Sequence, residues 1–295
     1  MSLNLNKKTG FLKLSEVYSR TTSIFKTSSV IFLPFIVFFI IESLALIIAS
    51  FYPLAPLKTI FGPLVRTFWG EQFLHYPVNF LLLPTLANTS RMMLGIFFGS
   101  LLSGVAVLIT ADIYAKKIPL FRRSLKNTFK KYVALVFVIL ILTILMYYIL
   151  KIVDTVYLKH IFAPHPKLVK LCGGFWIGTI LIAIKFLLSA FIQAAFIYAI
   201  PMIMLAEKRP IIAILESFKL FGRYWITTFL LIFLPMLIYL PIMALNLNNA
   251  FLIEKIFPEF IIIIALLGAI VNSLIIDPLV TVSTTILYLR HKECV

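Results

Sequence analysis

Five side chains stand where a run of apolar residues would otherwise be unbroken, and they are the first place to look for chemistry. Glu42 falls near the middle of one such run and Lys185 near the middle of another. A charge at that depth in a lipid bilayer is costly, and it usually faces the bundle interior, where it pairs or serves a pathway. The similar expected depth of the two makes a Glu42–Lys185 ion pair feasible. A pair that fixes helix packing is preferred over an ion or substrate relay, because no further ring of charges accompanies it. Asp277 belongs to the inner half of the last apolar run and Asp112 to the inner end of the second, where both can cap helices or pair with nearby basic residues. Gln193 can hydrogen-bond between helices.

Enzyme chemistry finds no foothold. The four histidines, His75, His160, His165 and His291, form no HExxH, and no GxSxG elbow or GxxxxGK[ST] phosphate loop occurs. Cys172 and Cys294 are expected at opposite membrane faces without CxxC spacing, so neither a disulfide nor a metal site is expected. No metal and no cofactor is assigned.

The elements that must position these residues are membrane spans. The chain has 295 residues, 62% hydrophobic and 13% charged, against roughly 45–50% and 25% for soluble domains. Runs of about 20 apolar residues, enough to cross a ~30 Å hydrocarbon core, fall at about Val30 to Phe51, Met92 to Ile113, Tyr132 to Val153, Phe175 to Leu205, Trp225 to Leu245 and Phe260 to Leu289. A bend is expected at Asp277-Pro278, where proline removes a backbone donor. Gly173-Gly174 reads as a turn before the fourth span. The connection from Tyr52 to Arg91 reads as lying on the outer interface: Leu57, Ile60, Phe61, Leu64 and Phe68 have helical spacing, and Val78 to Leu86 is apolar but too short to cross.

The net charge of +16 sits beside the apolar runs rather than in a separate polar domain, which points to anionic lipid headgroups and not to nucleic acid. Lys7, Lys8, Lys13, Arg20 and Lys26 precede the first span. Lys116 to Lys131 carries seven basic residues before the third, and Lys208, Arg209, Lys219 and Arg223 precede the fifth. Although Lys151, Lys159, Lys167 and Lys170 weaken the asymmetry, the balance puts both termini in the cytoplasm of a multi-pass inner (plasma) membrane protein.

Each basic segment also reads as a short amphipathic helix. The first sets Leu14, Val17, Tyr18, Thr21 and Phe25 against Lys13, Glu16 and Arg20. In the second, Ile118, Phe121, Leu125, Phe129 and Tyr132 oppose Arg122, Arg123, Lys126 and Lys130. The third places Ile211, Ile214, Leu215, Phe218 and Phe221 opposite Glu216, Lys219 and Arg223. With Lys208 and Arg209, the basic side chains of the second and third are candidates for binding lipid headgroups. The expected fold is therefore an all-α integral membrane protein, a single polytopic domain over residues 1–295. It has six transmembrane helices and a pseudo-threefold repeat of one interfacial helix plus two spans, with units at about 11–114, 115–206 and 207–290.

The stretch Tyr198 to Pro210 (YAIPMIMLAEKRP), with Ala213-Ile-Leu-Glu-Ser217-Phe-Lys-Leu220-Phe-Gly-Arg223-Tyr-Trp225, resembles uncharacterised bacterial six-helix membrane proteins. These are related to the membrane domain attached to some glycerophosphodiester phosphodiesterases. Pro278 and the closing Thr284-Thr285-Ile-Leu-Tyr288-Leu-Arg290 are similar to that family's terminal helix, with Leu289 where the family often has an acidic residue. The resemblance implies the six-helix topology. It implies no phosphodiesterase activity, because no catalytic domain is attached. Taken together, the sequence suggests a non-enzymatic protein that organises anionic lipids or a membrane partner protein at the cytoplasmic surface. The alternative is a transporter or permease subunit using Glu42, Lys185 and Asp277.

Overall fold

A computed structural model describes residues 14–156 and 166–294, and the side chains of all but 166–178, 250 and 294 among them. Lys7, Lys8, Lys13, Lys159, His160 and His165 lie outside the described residues, and the side chains of Lys167, Lys170, Cys172 and Cys294 are likewise not described. The described residues form helices joined by short turns and coil, without a strand. In chain order the helices are α1 (Leu14–Thr27), α2 (Leu33–Ser50), α3 (Leu57–Phe68), α4 (Asn79–Leu94), α5 (Ser100–Tyr114), α6 (Phe121–Phe129), α7 (Tyr132–Val156) and α8 (Pro166–Phe196). There follow α9 (Ala199–Ala206), α10 (Pro210–Arg223), α11 (Trp225–Leu237), α12 (Leu240–Leu247), α13 (Asn249–Lys255), α14 (Phe260–Ile270) and α15 (Asp277–Cys294).

Five helical stretches are long and apolar enough to cross a membrane: Ser29–Ser50, Asn79–Tyr114, Tyr132–Val156, Thr179–Ala206 and Phe260–Glu293. The count becomes six when α10 and α11, which meet at 97°, are taken as one bent span. The sharp elbow falls at Tyr224, so the apolar run from Trp225 starts in a new direction. Large apolar side chains point away from the protein along these helices, as with Ile40 and Leu44 on α2, Val133 and Ile144 on α7, and Ile263 on α14. A chain whose solvent is hydrocarbon gains nothing by hiding them, and its helices instead associate through small residues, polar contacts and close packing.

Three expectations are corrected. The second span does not begin near Met92. All but the first residue of the run Val78 to Leu86 belongs to a continuous 36-residue helical stretch, Asn79–Tyr114, in which Pro84 is tolerated within α4 because neighbouring helices can re-satisfy freed backbone groups. Gly173-Gly174 lies inside α8 rather than in a turn. The disturbance at Asp277-Pro278 takes the form of a π-helical turn, Val271–Ile276, just before the proline. A second π-turn, Gly95–Gly99, joins α4 to α5. The helical spacing between Leu57 and Phe68 does produce α3, which buries Gly62 and Val65 while Ile60, Leu64 and Phe68 stay exposed. Tyr52 holds the segment beyond it, its hydroxyl donating to the Phe73 carbonyl at 2.5 Å.

The three short helices pack through small or hydroxyl-bearing side chains. On α1, Val17, Thr21 and Ile24 are buried, and the Thr21 and Ser283 hydroxyls lie 3.0 Å apart, joining α1 to α15. On α6, Ser124 and Thr128 are buried, and Thr128 faces Gly104 of α5. A Cβ added at Gly104 would come within 2.6 Å of Thr128 Cγ2 and 2.8 Å of Leu135 Cδ1, so only glycine admits this approach. On α10, Ala213, Ser217 and Leu220 are buried. The Ser217 hydroxyl donates to the Ala195 carbonyl (2.7 Å) and accepts from the Tyr198 N–H (3.2 Å), satisfying backbone groups where α8 breaks before α9. Phe221 is buried with Ala213, Ser217 and Leu220, while Ile211, Leu215 and Phe218 of the same apolar stripe are exposed. Ala213 and Ser217 permit the close approach.

Candidate functional site: a polar chamber inside the bundle

Glu42 is buried on α2, and its partner is not Lys185. Arg91 of α4 donates to Glu42 Oε1 at 2.9 Å, and Ser273, in the π-turn Val271–Ile276, donates to Glu42 Oε2 at 2.7 Å. Arg91 also reaches Asp277, with 3.7 Å between Nη2 and Oδ2. Lys185 pairs with Asp154 near the end of α7, at 2.7 Å. Asp154 stands two residues before the end of α7, and the long flexible stem of Lys185 on α8 carries its ammonium there. Arg91, which the sequence places at the end of the outer connection, lies twelve residues into the stretch Asn79–Tyr114, about 18 Å along the helix at 1.5 Å per residue.

Asp277 and Gln193, both foreseen as intramembrane polar groups, are brought together with Arg91 around one cavity of about 260 Å³. Its walls come from α4, α5, α8, α9 and α15, with Phe38 of α2 and Ile139 of α7. Ser100, Ser103, Thr281 and Thr284 add hydroxyls, and Gly95 and Gly99 of the π-turn between α4 and α5 leave the wall open. Ser100 and Thr284 spend their protons on carbonyls of their own helices, Phe97 at 3.1 Å and Val280 at 2.7 Å. Among the described residues nothing hydrogen-bonds the Gln193 amide, and the only charged partner of Asp277 is Arg91. Asp277 keeps 41% of its side chain accessible although it lies deep within the bundle, because it opens onto this cavity.

Both π-turns lie next to these groups. Arg91 precedes Gly95–Gly99 by one turn, Asp277 follows Val271–Ile276 directly, and Ser273 lies within it. Such insertions re-aim side chains and recur at functional sites. A smaller cavity on the far side of Arg91 is lined by Glu42, Asn88, Tyr239 and Asn246, so polar groups continue past the ion pair. At the charge level the cluster has one cation and two carboxylates. It can hold a polar or cationic solute or water. Among the described residues no group of three His, Cys, Asp or Glu side chains could hold a metal ion.

The remaining foreseen residues lie elsewhere. Asp112 sits two residues from the end of α5, with no ion pair among the described residues. Its backbone carbonyl, not its carboxylate, accepts from Lys117 at 2.8 Å. Arg122, Arg123, Lys126 and Lys130 are exposed on and after α6, as are Arg209, Lys219 and Arg223 on and beside α10, while Lys208 is tied to Glu216. Lys131 was not singled out in the sequence. Its ammonium donates to the Ile203 and Met204 carbonyls at 3.2 and 3.3 Å and to Glu207 at 3.1 Å, capping α9. Arg290 of α15 clasps Glu16 of α1, and this contact holds the Glu16 carboxyl below the usual carboxylate range.

Compared with models of known protein families, with curated proteins and with solved structures, the chain matches none.

Proposed function

We propose that the chain is a non-enzymatic, multi-pass membrane protein of transport type, which admits a small polar solute to the chamber between Arg91, Gln193 and Asp277. The observation that carries this reading is the chamber itself. Helix packing alone would be served by apolar contacts, yet here an open volume of about 260 Å³ is kept beside a buried ion pair, with an unbonded amide and a half-open carboxylate facing it. Intramembrane ionisable groups around such a volume are the usual mark of a solute or proton path. The test is accessibility from each side. In a cysteine-free background, S103C and T281C in proteoliposomes are treated with a membrane-impermeant thiosulfonate from inside or outside. Labelling from at least one face, slowed by R91M or D277N, is expected. Protection from both faces would overturn the reading.

A second reading, organisation of anionic lipids or a partner protein at one membrane surface, is favoured by the exposure of Arg122, Arg123, Lys126, Lys130, Arg209, Lys219 and Arg223 at a single end of the bundle. We place that end in the cytoplasm of the inner membrane, with both termini there, following the excess of basic residues. We further propose a pseudo-threefold repeat of one amphipathic helix plus two spans. What supports it is a shared register: Val17 and Thr21, Ser124 and Thr128, and Ala213 and Ser217 are buried pairs four residues apart. Each docks on the second span of another unit, α15, α5 and α8–α9 respectively. Reporter fusions at the two termini test the orientation. An active periplasmic reporter at either one would refute it.

A further inference from the structure

We infer that a second cavity, about 410 Å³ between α9, α10 and α15, is a binding site for a phosphate-bearing anion. It is separate from the polar chamber, although close to it. Along α15 the chamber ends at Thr284 and this cavity begins one turn later at Tyr288; along α9, Pro201 faces one and Met202 the other.

The charge on its walls is one-sided. Lys208 and Glu216 neutralise each other in an ion pair. Lys219, Arg223 and Lys292 remain, formally +3, and among the described residues none of them pairs with a carboxylate. Glu216, Lys219 and Arg223 follow one another at steps of three and four, so a single face of α10 presents them together, and the end of α15 brings Lys292 to the same volume. Three cations around one cavity repel each other unless an anion or water lies between them. The Arg223 guanidinium sits against the Tyr224 ring, 5.6 Å from its centroid, an arrangement that orients the fork. His291 also lines the cavity. Its Nδ1 lies 3.4 Å from the Tyr224 hydroxyl, and where that hydroxyl donates, the ring proton resides on Nε2 and is available to an oxyanion.

This combination matches a phosphate better than a carboxylate. A dianion with three outer oxygens can take a guanidinium fork and two ammonium groups at once, in charge-assisted hydrogen bonds. Arg122, Arg123 and Lys126, in contrast, are spread along an exposed helix face. The cavity faces away from the lipid-exposed side chains Ile211, Leu215 and Phe218 of α10. A soluble phosphate compound and a lipid phosphate headgroup share the required chemistry.

The experiment uses the full chain in phosphatidylcholine nanodiscs. Thermal stability and binding of radiolabelled inorganic phosphate are measured, then stability is measured again in discs doped with phosphatidic acid. Stabilisation by inorganic phosphate in neutral discs identifies a soluble ligand. Stabilisation by phosphatidic acid alone identifies a headgroup. In either case K219Q/R223Q is expected to weaken the effect at least tenfold, whereas the charge-matched K116Q/K117Q, at two exposed lysines outside the cavity, leaves it within twofold. Should the double variant fail to fold, K292Q replaces it, since Lys292 is exposed in the last turn of α15. The inference fails if neither phosphate source stabilises the protein beyond matched chloride, or if K116Q/K117Q weakens the effect as much as K219Q/R223Q.

Discussion

Replacing Gly104 with alanine places a methyl group 2.6 Å from Thr128 Cγ2 and 2.8 Å from Leu135 Cδ1. Carbon atoms settle at about 3.5–4.0 Å, so the two contacts fall short by about 0.9 and 0.7 Å. Thr128 and Leu135 are fully buried, and neither can swing into open space. Overpacking of this kind costs about 1–3 kcal/mol, and two simultaneous clashes put G104A near the upper figure. T128S removes the nearer methyl while keeping the hydroxyl that donates to the Ser124 carbonyl at 2.8 Å. In the native background T128S loses about 0.8 kcal/mol, the value of one buried methyl group. In the G104A background it is expected to gain about 1–1.5 kcal/mol, because the nearer of the two clashes is relieved. Equilibrium unfolding in mixed micelles, followed by tryptophan fluorescence, gives all four stabilities. The close α5–α6 contact would be refuted if G104A were neutral, or if the two effects added within about 0.5 kcal/mol as independent sites do.

R91M removes the principal partner of buried Glu42. A loss toward the low end of the roughly 3–5 kcal/mol for a broken buried pair is expected, since Ser273 still donates to Glu42; unfolding of R91M, E42Q and the double variant should reveal coupling above about 1 kcal/mol, and additivity would contradict the pairing. K131Q withdraws a charged donor from the end of α9 and should cost about 1–2 kcal/mol, whereas K130Q, its exposed neighbour, should be neutral in the same assay. The clasp between Arg290 and Glu16 depresses the Glu16 pKa below 4.5. Its contribution is therefore complete above about pH 4.5 and is lost as the pH falls through the lower folded-state value. The melting curves of the native protein and E16Q should converge at acid pH and diverge above it, by a small margin because Glu16 is 42% exposed; a constant gap down to acid pH would contradict the assignment.

The apolar runs made most of the spans legible, because a stretch of about 20 residues without charge has few other uses. Asp277 and Gln193 were legible as polar groups inside the apolar runs, but the interhelical hydrogen bond read for Gln193 has no counterpart among the described residues, and both instead line the cavity. Arg91 was not legible. It ends the polar run Asn88-Thr89-Ser90, which reads as a loop, and its membership of a helix rests on interhelical contacts that repay Pro84 and on the carboxylates of Glu42 and Asp277. The partner of Lys185 was obscured for a related reason: a lysine's Cα position fixes its charge only to within the length of a flexible stem. On α10 the small Ala213 and Ser217 are buried together with Leu220 and Phe221, while Ile211, Leu215 and Phe218 are exposed, a division that a hydrophobic stripe alone does not announce.

Tyr198 has a mechanical consequence. Its hydroxyl meets Thr228 of α11 at 2.5 Å, its N–H is accepted by Ser217 of α10, and it stands at the start of α9. One fully buried residue thus rivets three helices across the 97° elbow between α10 and α11. Those helices must travel as one lever. Arg91 and Asp277, which meet at 3.7 Å without a hydrogen bond between them, part more easily than any contact Tyr198 makes.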